Sequence, residues 1–285
     1  MPGGFKANAR GHMRNDSNKT MQSSFETFSD GKTLYGDDFS PENIEAWFRD
    51  EQEAYYQLPE EHRPGLYSYH ALNFRHGFRH LPAHPFEHVL GLGAGYGDEL
   101  EPILGRAKKV TILEPSDTFS DPRFDYVKPS STGRMPFANN AFDLVTCFGV
   151  LHHIPNVSTV MHELARCTKP GGWLLIREPI HSMGNWDRPR RGLTSRERGI
   201  PLPIIRQMVR AAGLQVVRER RCAFSLTARL HPLLPKGQFV YNTPWLATFD
   251  DYLCNLPIWS ERYHATNLVE RLRPWSVFLV LKKPT

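Results

Sequence analysis

Val89-Leu90-Gly91-Leu92-Gly93-Ala94-Gly95-Tyr96-Gly97 is an apolar run that breaks into alternating glycines, and Glu114 follows at the end of a second apolar run, Val110 to Leu113. Glycine suits a chain that must turn sharply off a strand end, adopt positive φ and bring bare backbone N–H groups close to a ligand. An acidic side chain about twenty residues further on fits the hydroxyls of a ribose. Together they read as a nucleotide-type cofactor site.

Working outward from this stretch, the pattern alternates. Strands are expected at His88–Leu92, Val110–Leu113, Asp125–Val127, Phe142–Phe148, Trp173–Arg177, Leu214–Arg220 and Ser276–Leu281. Helices are expected at Asp98–Leu104, Val157–Cys167 and Ile204–Ala212, the last ending at Gly213, and Lys169-Pro170-Gly171-Gly172 reads as a turn. This order predicts an α/β fold with a mostly parallel sheet covered on both faces, and ligands in such sheets bind at the carboxyl ends of the strands.

Residues 1–30 are rich in Gly, Asn, Ser and Lys and read as a mobile tail. Ser40 suits an N-cap and Pro41 a first helical position, with Ile44, Trp47, Phe48 and Tyr55 at helical spacing behind them. A second aromatic helix is expected over Tyr67–Phe78, so residues 31–86 form an N-terminal helical cap. The core is then 87–223 and 275–285. The aromatic stretch 224–274, too long for a structureless connection, is a helical insertion that serves as a lid or as the face of a homodimer.

The chain has 285 residues, 40% of them hydrophobic, enough for one large core. Its four cysteines form no CxxC pair, which argues against a zinc knuckle or a disulfide framework and fits a reducing cytoplasm. No apolar run reaches the length of a membrane span. The net charge of +5 is modest and forms no long run, so nucleic acid is not indicated as a partner. It still permits an anionic small molecule, for which Arg188, Arg190, Arg191, Arg196 and Arg198 offer guanidinium forks.

The motif order resembles the class I S-adenosylmethionine-dependent methyltransferases. The glycine loop, Leu113-Glu114-Pro115, the segment Arg134-Met135-Pro136-Phe137-Ala138-Asn139-Asn140-Ala141-Phe142-Asp143, then Gly149-Val150-Leu151-His152-His153-Ile154 and Lys169-Pro170-Gly171-Gly172-Trp173 carry the likeness. A narrower similarity, to bacterial O-methyltransferases of saccharide or natural-product pathways, rests on Leu34-Tyr35-Gly36-Asp37-Asp38-Phe39 and Arg262-Tyr263-His264. The resemblance implies a Rossmann-like seven-stranded sheet and S-adenosylmethionine as cofactor, with S-adenosylhomocysteine as product. It implies cofactor contacts from Gly91, Gly93, Ala94, Gly95, Glu114, Pro115 and Phe148. Gly91 stands where an acid is common and Ser131 where an aspartate is, so backbone groups of the Thr132-Gly133 peptide are expected to meet the adenine.

A hydroxyl acceptor needs help in losing its proton, and histidine, with an ordinary pKa of about 6.5, suits that task. His152 and His153 follow the strand ending at Phe148, and His181 follows the strand ending at Arg177; Glu178 and Asp187 are further candidates. Tyr35, Tyr69, His70 and Asn73 are placed to fold over the cofactor. No metal site is indicated, since no histidine pair has HExxH spacing. The expected function is methyl transfer to a hydroxyl of a saccharide, nucleotide-sugar or natural product. An RNA or tRNA methyltransferase and a non-catalytic interaction scaffold are the competing readings.

Overall fold

Two short strands, Val89–Leu92 (β1) and Val110–Leu113 (β2), are buried at every position, as strands lacking polar alternation must be in a sheet covered on both sides. The computed structural model describes residues 25–56, 67–190, 192–235 and 237–285. The other strands are β3 (Asp125–Val127), β4 (Phe142–Phe148), β5 (Thr168–Pro179), β6 (Gln215–Phe224) and β7 (Pro274–Lys282). They form one seven-stranded sheet in the order β3-β2-β1-β4-β5-β7-β6. Strands β1 to β5 pair in parallel, and β7 runs antiparallel between β5 and β6. This is the seven-stranded, mostly parallel α/β architecture expected from the sequence. The chain leaves β1 toward one edge and returns at β4 on the other side. That reversal opens a crevice at the carboxyl ends of β1 and β4.

Helices α5 (Val157–Cys167) and α6 (Leu202–Ala211) cover one face, burying Val160, Met161, Leu164, Ile205 and Met208. The other face is covered by α3 (His70–His76), α4 (Glu101–Leu104) and α7 (Pro244–Cys254) through Leu72, Ile103 and Leu246. Helix α2 (Pro41–Tyr56) starts where Ser40 Oγ accepts the Asn43 N–H, and it sinks Trp47 completely among Tyr35, Phe39 and Trp186. Among the described residues no helix is long and apolar enough to cross a membrane.

The structure corrects four expectations. The tail does not extend to residue 30: α1 (Phe25–Phe28) is ordered by Phe25, whose ring meets Trp186 edge-on at 4.8 Å and whose N–H donates to Asp187. Residues 1–24 lie outside the described residues. Helix α3 is shorter than Tyr67–Phe78, because Gly77 packs its Cα against the Phe278 ring, where a Cβ would come within 2.5 Å. The Lys169–Gly172 turn lies inside β5 as a bulge, since Thr168 pairs with Phe142 and Trp173 with Leu144. Strand β6 continues to Phe224 because Asp250 on α7 accepts the N–H groups of Ala223 and Phe224, both at 2.8 Å.

Asp250 is fully buried, so truncation leaves two donors without acceptors. Asp250→Ala is expected to lower the unfolding free energy by about 2–4 kcal/mol in urea titration. An unchanged midpoint would show that water satisfies those groups.

Candidate active site

The crevice is a cavity of about 580 Å³, within the range typical of cofactor and small-ligand sites. Its floor is the loop after β1. Gly93, Gly95 and Gly97 all have positive φ, and a Cβ on Gly93 would strike Val150 at 2.7 Å, so that turn is closed to other residues. Gly93 donates to Leu113 O and Gly97 to Ala94 O, while the N–H groups of Ala94 and Tyr96 have no acceptor among the described residues. Glu114, at the end of β2, is buried and accepts the N–H groups of Gly95 (3.3 Å) and Ser116 (3.1 Å). Burial raises its pKa, and those two bonds oppose the rise.

Gly93, Ala94, Gly95, Glu114, Pro115, Gly133 and Phe148 line this cavity together with His152 and His153. Gly91 does not: it is a strand residue whose Cα is covered by Ala94 and Leu100. The Thr132-Gly133 peptide, expected at the adenine, has both of its polar groups engaged within the protein. Its N–H donates to Ser130 O, its carbonyl accepts Asn156 Nδ2, and Thr132 faces solvent. Ser131 lines the cavity at that end, next to Asn156, whose buried Oδ1 has no partner.

The three histidines occupy different environments. His181 points away from the cavity into a smaller recess against Arg206, Arg221 and Tyr263. Its Nε2–H donates to Pro274 O at 2.9 Å, and burial pushes its pKa down to about 3. It is not available as the base, because the chain turns off β5 at Pro179, two residues later than expected. His152 is clamped between two carboxylates, Nδ1 to Glu178 at 2.8 Å and Nε2 to Glu197 at 3.2 Å. Burial disfavours its charge, but the hydrogen bonds from Glu178 and Glu197 outweigh this and hold its pKa up at about 9. It is an imidazolium at neutral pH and cannot serve as a base.

His153 is half-buried at the cavity wall, and its Nδ1 lies 3.0 Å from Oε2 of Glu51. Glu51, on α2, is itself buried and accepts the Thr194 hydroxyl at 2.7 Å. His152, His153 and Glu197 bring three groups with ligand atoms within 4.8 Å of one another.

Glu178 is fully buried and accepts Val150 N (2.8 Å), Leu151 N (2.9 Å) and His152 N (3.3 Å). It fixes the loop after β4 rather than facing the cavity. Asp187 binds the Phe25 N–H, outside the cavity. Of the residues expected to cover the cofactor, Tyr69 lines the cavity, whereas Tyr35 packs with Trp47 and Trp186, His70 donates its N–H to Asn242 and Asn73 binds the Tyr67 hydroxyl.

Three arginines of the cluster are engaged within the protein. Arg198 is fully buried and donates to the carbonyls of Tyr35, His152 and Pro155; Arg196 pairs with Asp50 and Arg190 donates to Thr194 O. Arg188 is exposed, and Arg191 lies outside the described residues. Glu51, Tyr67, Glu99, Arg177 and Glu197 at the cavity gave no signal in the sequence, because no motif or spacing links them.

Residues 90–176 match a methyltransferase-domain family. This segment is similar to a methyltransferase domain. The matched stretch carries β1 to β5, the glycine loop and Glu114, and S-adenosylmethionine is the cofactor that goes with it. A demethylmenaquinone methyltransferase of Renibacterium salmoninarum is 32% identical over 103 residues, 34% of this chain and 43% of that protein. A ubiquinone biosynthesis O-methyltransferase of Hydrogenovibrio crunogenus is 42% identical over 98 residues, 31% of this chain and 41% of that one. The chain thus spans less than half the length of these curated relatives. Among solved structures, a Leishmania major S-adenosylmethionine-dependent methyltransferase superposes with a TM-score of 0.51 at 14% identity, covering 83% of each chain. It shares the fold of the methyltransferase domain.

The cleft fits that cofactor on its own geometry. The glycine loop offers two unpartnered N–H groups, Glu114 stands at the end of β2 where a ribose diol would lie, and Asn156 presents an orphaned buried acceptor.

Proposed function

We propose that the chain transfers a methyl group from S-adenosylmethionine to a hydroxyl of a small-molecule acceptor, with His153 as the base. The observation that carries this reading is the Glu51–His153 pair, which opens on the same cavity as Gly93, Gly95 and Glu114. When bound, the cofactor supplies an electrophilic methyl group on a sulfonium. Glu114 and the glycine loop would hold its nucleoside end. Glu51 accepts from His153 Nδ1 and so sets the tautomer with the lone pair on Nε2, while Thr194 fixes the Glu51 carboxylate. The acceptor hydroxyl then gives its proton to His153 as its oxygen is alkylated. The imidazolium His152 and Glu178 position the loop that carries His153.

Phe48, Tyr69, Phe119, Phe148 and Trp275 line the cavity and suit a flat ring. The curated relatives are named for quinone biosynthesis, which agrees with such a ring. An aromatic natural-product hydroxyl is therefore favoured over a saccharide. The aromatic stretch 224–274 is proposed as an insertion flanking this cavity rather than as part of the nucleoside site.

Calorimetric titration with S-adenosylmethionine and S-adenosylhomocysteine tests the cofactor site. Micromolar binding is expected, and Glu114→Ala is expected to weaken it roughly tenfold to a hundredfold, as loss of a charge-assisted hydrogen bond does. Unchanged affinity in that variant would move the nucleoside away from β2.

A further inference from the structure

Arg177, on β5, stands apart from the chain's other buried arginines. It is only 7% exposed and lines the cavity, its guanidinium lies over the Tyr69 ring at 3.8 Å, and its side chain makes no hydrogen bond or ion pair among the described residues. Its Nε is buried without a partner. Arg198, fully buried, satisfies itself on carbonyls. A guanidinium does not lose its proton, and a buried charge without a counter-ion is costly. The carboxyl group nearest in effect to Arg177 is Glu99, whose own burial pushes its pKa up to about 8 and whose side chain bonds the Thr146 hydroxyl rather than the guanidinium.

The surroundings are those of a carboxylate pocket. Tyr67, whose ionisation burial opposes, takes the Asn73 side-chain N–H on its oxygen at 2.6 Å, which leaves the phenolic proton to be donated. Tyr69 covers one face of the guanidinium and orients its edge. Arg177 pairs in register with Phe148 of β4, and β4 lies between β5 and β1. It is therefore about two strand spacings, roughly 10 Å, from the glycine loop, on the side where the acceptor would lie.

We propose that Arg177, assisted by Tyr67, binds a carboxylate on the acceptor, so that the substrate is an aromatic hydroxy acid rather than a neutral phenol or sugar. This rests on the methyltransferase reading above. The bond is a charge-assisted pair across a buried edge, which guanidinium makes well.

The test uses full-length protein saturated with S-adenosylhomocysteine and titrated with para-hydroxybenzoate and, separately, its neutral isostere para-hydroxybenzamide. The acid is expected to bind at least about tenfold tighter than the amide, as a charge-assisted hydrogen bond provides. Arg177→Met should bring the two affinities together, and Arg177→Lys should restore part of the difference. The melting temperature of Arg177→Met is expected at or above wild type, since an unpaired buried charge is removed; a marked fall would assign the arginine a structural role and overturn the proposal. Equal binding of acid and amide to wild type, or no binding of the acid, overturns it as well. So does weaker S-adenosylhomocysteine binding in Arg177→Met with methylthioadenosine binding unchanged, which would give Arg177 to the cofactor's own carboxylate. If wild type binds no S-adenosylhomocysteine at all, the methyltransferase reading fails first.

Discussion

His153→Ala is expected to lower turnover by roughly a hundredfold to a thousandfold while leaving S-adenosylhomocysteine affinity unchanged, because a positioned general base contributes on that order. Glu51 touches the other side of the same imidazole, so Glu51→Gln should reduce turnover less, because the amide oxygen can still accept from Nδ1 and orient the ring. The two losses should not add, since they act on one unit. Release of S-adenosylhomocysteine with an accepted hydroxyl compound gives the readout. A His153→Ala protein with full turnover would remove histidine from the mechanism. His181→Ala should leave turnover near wild type, because that ring faces the Pro274 carbonyl in a separate recess.

The second large effect concerns stability. Glu178→Ala deletes the acceptor of three backbone N–H groups and one of the two counter-ions of the His152 imidazolium. Removing one partner of a buried pair costs about 3–5 kcal/mol, and the expected loss in chemical denaturation is of that size. Glu178→Gln should recover part of it by keeping an acceptor oxygen for the N–H groups.

The pH dependence follows from the same cluster. His152 has a folded pKa of about 9, above the ordinary histidine value of about 6.5, so the folded state binds the proton more tightly. Its contribution is complete below about pH 6.5 and is lost as the pH rises through 9. Glu197, held down at about 2 by His152 against its burial, contributes above the ordinary carboxylate range and loses that contribution as the pH falls through it. Wild type should therefore lose stability between about pH 6.5 and 9, and Glu178→Ala should flatten that limb. An identical alkaline slope in both proteins would contradict a shared proton in this cluster.

Much of the sheet was legible because it depends on local signals. The runs Val89–Leu92 and Val110–Leu113 are apolar at each position but one and can only be buried strands, and the glycines after the first must break it. Strand ends were less legible where a distant partner sets them. Nothing in Arg220–Phe224 announces that Asp250 will extend β6, and nothing in Phe25 announces that Trp186 will order the residues before α2.

Side-chain roles divide in the same way. Glu114, Gly93, Gly95 and Phe148 reach the cavity because backbone geometry at a strand end places them there whatever the rest of the chain does. The charge state of His152, the pairing of His153 with Glu51, and the isolation of Arg177 against Tyr69 could not be read from sequence, since each joins segments far apart in the chain. The sequence by itself determined the strand-loop-strand frame and the cofactor end of the cleft, through residue-by-residue backbone preferences. Only the tertiary structure decided which histidine is clamped between two carboxylates, which one lines the cavity and which arginine side chain is unpaired, because these depend on which charges share a buried, low-dielectric space.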